Sequence, residues 1–194
     1  MAGRERVVRL PTAEEAAGGD PAGRIGVVVG LTGPDLVADW CAALVRGADP
    51  LDPDQPPLEW LGGAHAAAYT SGVNAYWPRV WGARGLLHAY RPQAGPAVVA
   101  GLSDEHWRVR EMCAKVARAH EVGAAAEALR RGCADGVPRV RAAAVRALAV
   151  VGEAEDADAV RDCLDDPQPA VAAAAERALR AMSARLDRDL GAAP

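Results

Sequence analysis

Apolar side chains recur along this chain at the spacing of one face of an α-helix. In one stretch they stand at Val109, Cys113 and Val116, and a second stretch with the same spacing opens at Val140. Positions i, i+4 and i+7 lie on the same side of a helix, so each stretch predicts a helix with one buried face. Near the N-terminus a further apolar face of this kind consists of Val37, Trp40, Cys41, Leu44 and Val45.

These helical stretches repeat at a fixed offset. The valines Val109, Val140 and Val171 are 31 residues apart, and each follows an aspartate by five residues. A period of this length indicates stacked supersecondary units, each too small to bury its own apolar face. The repeat therefore predicts an array in which every unit is covered by its neighbours.

Prolines mark where the predicted helices begin. Pro78, Pro138 and Pro169 each stand two residues before the apolar anchor of their stretch. The first turn of a helix tolerates proline because its N–H has no partner within the helix. A second, shorter helix is predicted in each unit, at about 94–102, 122–131 and 154–164. We therefore predict an all-α fold, a right-handed α-solenoid of about five stacked helical hairpins.

The regularity of the repeat varies along the chain. We predict that residues 1–22 form a partly disordered leader and that residues 23–194 form a single domain. The repeats are regular over about 76–188 and irregular over 50–75, where four prolines between residues 49 and 57 interrupt any helix. Residues 27–33 look like a strand, but residues 28–33 match residues 98–103, so the run is predicted to belong to a repeat helix instead.

Two turns carry the same pair of charged residues. Asp104 is followed six residues later by Arg110, and Asp135 by Arg141. With this pattern the repeats resemble HEAT repeats, in particular the short variety of phycobilisome-lyase-like proteins, well over about 75–185 and less well over 23–48. In that family the turn aspartate and the arginine form a hydrogen-bonded ladder along the stack. The resemblance thus implies a structural ladder of these four residues.

The chain departs from the family pattern at both ends of the array. Ala172 stands where the pattern has the arginine that would partner Asp166. Trp81 follows Val80 where an arginine is expected. Terminal units often lose repeat features because one neighbour is missing.

Composition constrains the core and the compartment. Hydrophobic residues make up 51% of the 194 residues, yet aromatic residues make up only 4% and phenylalanine is absent. Alanine, leucine and valine must therefore fill the core. No apolar run approaches the roughly 20 residues that span a bilayer, and no apolar stretch follows the basic residues near Met1. We expect a cytoplasmic protein that does not interact with membranes.

No pattern in the sequence indicates a metal site, a cofactor or a catalytic centre. The four cysteines form no Cys-x-x-Cys pair and are predicted to be buried apolar thiols: Cys41, Cys113, Cys133 and Cys163. The four histidines lack metal-binding spacing, and no serine stands in a nucleophile elbow. We therefore predict no cofactor.

Charge is distributed unevenly. Residues 73–149 carry a net charge of +6, whereas residues 1–72 and 150–194 each carry −5. Nine of the central cations lie on or beside the valine-anchored helices: Arg79, Arg84, Arg108, Arg110, Lys115, Arg118, Arg139, Arg141 and Arg146. This layer lines the concave side of HEAT-like stacks, where a basic groove would attract an anionic partner. The alternative is a solvated face with two of the arginines engaged in the ladder.

Tryptophans begin two of these helices. We predict that one groove is bordered by Trp77, Trp81, Arg84, Trp107, Lys115 and Arg118. Aromatic and arginine side chains are frequent interface anchors. The alternative is that at least two of the indoles fill gaps in an alanine-rich core.

The leading functional hypothesis is a non-enzymatic interaction module. Its concave face would bind an acidic or mixed acidic-apolar segment of a protein partner. The alternative is a nucleic-acid-binding protein similar to the HEAT-like DNA alkylation repair glycosylases, opposed by the acidic flanks and a pI near 5.6. A bilin lyase or chromophore chaperone is a third option, based only on the repeat subtype.

Overall fold

Helices account for all the regular structure in residues 19–190, the part of the chain that the structure, a computed structural model, describes. That part contains ten α-helices, five short 3₁₀-helices and no strand, which confirms the all-α prediction. The chain divides into two compact units, Met1–Ala94 and Gly95–Pro194. That residues 23–194 act as a single domain stays a prediction.

The first unit contains four α-helices. They are α1 (Pro21–Thr32), α2 (Pro34–Val45), α3 (Glu59–Gly62) and α4 (Trp77–Ala89), with 3₁₀-helices at Ala66–Tyr69, Gly72–Asn74 and Pro92–Ala94. Residues 27–32, which look strand-like in sequence, lie within α1. Residues 1–18 of the predicted leader lie outside the described residues.

Local signals explain where α1 and α2 begin and end. Asp20 caps α1 by accepting the backbone N–H of Gly23 at 2.7 Å, and Pro21 occupies the first turn. Gly33, with φ 93°, ends α1 and immediately precedes Pro34, the first residue of α2. This left-handed conformation favours glycine because a Cβ would crowd the adjacent backbone of its own chain segment. One glycine thus joins two helices without an intervening loop.

The core of the first unit lies between α2 and α4, which pack along their lengths. Val37, Cys41 and Leu44 of α2 are fully buried. Cys41 lies against Gly82 and Gly85 on α4, where an added Cβ would lie 2.7 Å from its carbonyl oxygen and 2.4 Å from its Sγ, respectively. Glycine at these two positions lets the helix backbones approach closely.

The second unit contains six α-helices. They are α5 (Gly95–Gly101), α6 (Trp107–Ala119), α7 (Ala126–Gly132), α8 (Pro138–Val151), α9 (Ala157–Arg161) and α10 (Pro169–Leu186). Short and long helices alternate. A 3₁₀-helix precedes α7 at Gly123–Ala125 and α9 at Ala154–Asp156, so these short helices start about one turn later than the pattern predicts.

The long helices of the second unit form one layer, in which α6 packs on α8 and α8 on α10. The short helices pack against them, and each makes its main contact with the long helix that follows it. The anchors Val109, Val140 and Val171 are all buried. The 31-residue period therefore corresponds to one short and one long helix.

The close approach of α2 and α4 predicts the effect of enlarging a glycine. Gly85→Ala would press a methyl group against Cys41, and such overpacking lowers the free energy of unfolding by about 1–3 kcal/mol. Urea denaturation followed by far-UV circular dichroism measures the change. Gly30→Ala is the matched control because nothing lies within 4 Å of the added Cβ, and alanine favours the helix by up to about 1 kcal/mol. Equal stability of the two variants would contradict the proposed packing.

Candidate functional site

Arginines join the turns that lead into the long helices of the second unit. Arg110 donates from Nη1 to the carbonyl oxygen of Asp104, in its own turn, at 2.8 Å. Its Nε and Nη2 donate to the two carboxylate oxygens of Asp135, in the next turn, at 2.7 and 3.0 Å. This bidentate geometry is the most favourable one for an arginine and a carboxylate. Arg110 thereby links two successive units.

Arg141 repeats the arrangement one unit later. It donates to the carbonyl oxygen of Asp135 at 2.8 Å and to the Asp166 carboxylate at 2.6 and 2.9 Å. The spacing within one unit predicts that the partner of Asp166 stands at position 172, which is an alanine. That prediction is wrong, because each arginine binds the carboxylate of the next unit. Arg141 is therefore the partner of Asp166.

The aspartates also shape the turns. Asp104, Asp135 and Asp166 each accept, through Oδ1, the backbone N–H of the second residue that follows, at 2.8 Å. The hydrogen bond from Arg141 holds the pKa of Asp166 below its ordinary value. Burial raises the pKa of Asp135, but the hydrogen bonds from Arg110 and the Val137 N–H outweigh it and the net shift is downward. The carboxylates of Asp135 and Asp166 are thus ionised structural groups.

A second series of cations lies on the exposed side of the long helices. Lys115, Arg146 and Arg177 each stand six residues after the buried valine of their helix, at intervals of 31 residues. All three are exposed. Lys115 binds Glu111 at 2.9 Å, and Arg139 binds the same carboxylate at 3.2 Å. Glu111 thereby neutralises part of this basic face.

A groove of about 320 Å³ crosses the face, and we call it the arginine groove. It is lined by Arg118, Arg146, Ala149, Val150, Ala174, Arg177, Ala178 and Ala181. Its three arginines come from α6, α8 and α10. They are exposed and form no ion pair with any residue between 19 and 190. The groove therefore presents three uncompensated positive charges above a floor of small apolar side chains.

Trp107 lies at the start of the same helix layer. The guanidinium carbons of Arg108 and Arg139 are 4.4 and 5.3 Å from its ring centroid, within cation–π range. Arg139 also lines a second depression, of about 290 Å³, which shares Arg146 with the arginine groove. The indole is half-buried, so part of it is available to a ligand.

The structure divides the six predicted groove residues between the two units. Trp107, Lys115 and Arg118 lie in the second unit, and Trp77, Trp81 and Arg84 in the first. Their convergence on one groove stays a prediction.

Within the first unit, Trp81 is a core residue rather than a surface anchor. It is 6% exposed, and its ring stacks on that of Trp77 with centroids 5.8 Å apart. Arg84 donates from Nη2 to the carbonyl oxygen of Leu61 at 2.7 Å. Burial, with added repulsion from Arg24, lowers the pKa of Arg84. Arg84 thus points into a polar part of its own unit.

Arg177 was missed by the sequence reasoning. It lies in residues 150–194, and their net charge of −5 does not reveal the position of a single arginine. The available signal was positional, because Lys115, Arg146 and Arg177 share the 31-residue spacing of the buried valines.

Other kinds of site receive no support from residues 19–190. No three or more histidine, cysteine or acidic side chains in that range cluster as metal ligands would. The four cysteines are free and buried, as expected, and burial raises the pKa of the Cys41 and Cys113 thiols. None of the described helices has the length and apolar character needed to cross a membrane.

Comparisons with known proteins agree with the helical repeat. The family model described as HEAT repeats matches residues 95–180. The crystal structure of an engineered protein, a Northeast Structural Genomics Consortium target, is similar with a TM-score of 0.50 and 18% sequence identity. That likeness covers 90% of this chain and 88% of the engineered protein, and at such low identity it shows the fold alone. No curated protein matches the chain.

The ladder predicts a stability change for Arg141→Ala. The substitution removes a bidentate ion pair and leaves the carboxylate of Asp166, whose side chain is 6% exposed, without its cation, so the free energy of unfolding should fall by about 1–3 kcal/mol. Thermal and urea denaturation measure it. Arg180→Ala is the control, because Arg180 is 69% exposed and lies 3.9 Å from Glu176. A melt unchanged within error would contradict a structural role for the pair.

The lowered pKa of Asp166 predicts a pH dependence. A carboxylate whose pKa is lower in the folded state than its ordinary value of about 3.9 stabilises the fold above that value. The advantage of the native protein over Asp166→Asn should therefore be full above about pH 5 and disappear as the pH falls through the folded pKa. Urea denaturation across this range tests it, with exposed Asp165→Asn as control. A difference that does not vary with pH would contradict the ion pair.

Proposed function

Because the family model of HEAT repeats matches residues 95–180, we propose that this chain is a non-enzymatic interaction module that binds an acidic segment of a protein partner. HEAT repeats generally act as protein-interaction scaffolds, and stacked helical repeats present extended binding surfaces. The binding surface we propose is the exposed face of α6, α8 and α10.

The arginine groove carries this proposal. Arg118, Arg146 and Arg177 converge on it without an ion pair to any described residue. Other arginines of the second unit are matched with acids, for example Arg110 with Asp135 and Arg141 with Asp166. Three adjacent unmatched guanidinium groups repel one another, and an anionic ligand removes that repulsion. Guanidinium groups also bind carboxylates with two parallel hydrogen bonds.

Trp107 and Lys115 extend the surface. Trp107, in cation–π contact with Arg108 and Arg139, is a half-buried aromatic residue of the kind that anchors interfaces. Lys115 shares Glu111 with Arg139, so this part of the face is closer to neutral. A partner segment of mixed acidic and apolar character matches both regions.

A direct binding measurement tests the proposal. A fluorescein-labelled peptide of ten glutamates should bind the protein at low salt, as measured by fluorescence anisotropy. Arg146→Glu combined with Arg177→Glu should weaken the affinity by at least about tenfold, because two attractive contacts become repulsive. Circular dichroism would verify that the variant remains folded.

The control has the same change in net charge. Arg131→Glu combined with Arg180→Glu alters two arginines that are 62% and 69% exposed and lie outside the groove. This pair should keep the affinity close to that of the native protein. Equal weakening by both double variants would contradict the assignment to the groove. A duplex DNA that binds more tightly than the peptide, with a steep salt dependence, would favour the nucleic-acid alternative.

A further inference from the structure

The spacing of the arginines in the groove constrains the shape of the ligand. Arg146 and Arg177 occupy equivalent positions in successive units, 31 residues apart. They lie on α8 and α10, which pack directly on each other. Packed helices are about 8–10 Å apart. The helix positions that carry these two charges therefore recur at intervals of roughly 9 Å across the groove.

Arg118 continues the series with a small shift. It stands nine residues after Val109, three more than its counterparts stand after their valines. Three residues advance about 4.5 Å along a helix. The equivalent position is occupied by Lys115, whose charge is engaged with Glu111 at 2.9 Å. The backbone position that carries the free guanidinium on α6 is thus about 10 Å from the one on α8.

The floor of the groove suits a narrow, extended segment. The floor is formed largely by the methyl groups of Ala149, Ala174, Ala178 and Ala181. These residues provide an apolar contact for a narrow segment that runs from α6 towards α10.

Two extended conformations place side chains differently. In a β-strand, residues i and i+3 point to opposite sides. In a polyproline II helix, three residues complete a turn with a rise of 3.1 Å each, so i and i+3 face the same side about 9.3 Å apart. Of the two conformations, only polyproline II has a same-side spacing, about 9.3 Å, that matches the interval between the positions of adjacent arginines.

We propose that the groove binds a polyproline II segment with a carboxylate at every third residue, an inference that rests on the proposed function. Each carboxylate pairs with one of Arg118, Arg146 and Arg177. The two intervening residues contact the alanine floor or point to solvent. Such a segment loses little conformational entropy on binding because it is already extended in solution.

Two peptides of identical composition and charge test the spacing. One contains four repeats of Glu-Pro-Ala, and the other has its four glutamates in a block followed by four repeats of Pro-Ala. Anisotropy or calorimetry at low salt should show the periodic peptide binding at least about tenfold more tightly. A third peptide, with glutamate at every seventh residue of an alanine-based helix, presents similar intervals on a helical ligand and should bind weakly.

Variants show whether the preference comes from the groove. Arg146→Glu with Arg177→Glu should abolish the preference for the periodic peptide, and Arg131→Glu with Arg180→Glu should preserve it. Equal binding of the periodic and block peptides would overturn the spacing while leaving an acidic partner in place. Tighter binding of the helical peptide would overturn the extended conformation. If neither of these peptides nor the ten-glutamate peptide bound, both the spacing and the proposed function would be overturned.

Discussion

The bidentate bonds of Arg110 and Arg141 determine the geometry of the second unit. The short helices α7 and α9 have seven and five residues, too few to position their neighbours by packing alone. Each arginine instead binds two turns: the turn before its own long helix and the turn before the next long helix. Because the long helices start from these turns, the spacing between turns sets the spacing of everything further along α6, α8 and α10.

The arginine groove depends on that register. Arg146 and Arg177 lie side by side only because Val140 and Val171 occupy equivalent places in the core. The same helices thus carry two sets of cations with opposite roles. Those near the turns, Arg110 and Arg141, are partly buried and matched with carboxylates. Arg118, Arg146 and Arg177, further along, face solvent without a matched acid among residues 19–190, so they are available to a ligand.

The alanine-rich core has a related consequence. Small side chains allow the long helices to pack closely, and they also leave the groove floor shallow and apolar. Large side chains are confined to particular places, such as Trp60 and Trp81, which are buried in the first unit. Aromatic residues therefore help to shape the core of the first unit, whereas Trp107 of the second unit is half-buried beside two guanidinium groups.

Features repeated along the chain could be predicted, and features that depend on contact between units could not. The period of the valines identified the long helices and their buried faces, because burial of a helix face leaves a direct trace in residue spacing. The partner of Asp166 depends on which turn lies beside it, so the spacing within one unit pointed to the wrong position. The burial of Trp81 was equally hidden, since an indole suits both a core and an interface. Arg177 could have been found, because its position repeats those of Lys115 and Arg146.

The ladder also has a direction. Each arginine is bound to a carbonyl group that precedes it and to a carboxylate that follows it, 25 residues later in the chain. During synthesis, Arg110 therefore leaves the ribosome before Asp135 does. Its guanidinium cannot form the bidentate bond until the following turn has been synthesised. Each unit thus depends on the turn that follows it for the carboxylate partner of its arginine. At the equivalent position α10 has Ala172, so within residues 19–190 the ladder ends with the bond from Arg141 to Asp166.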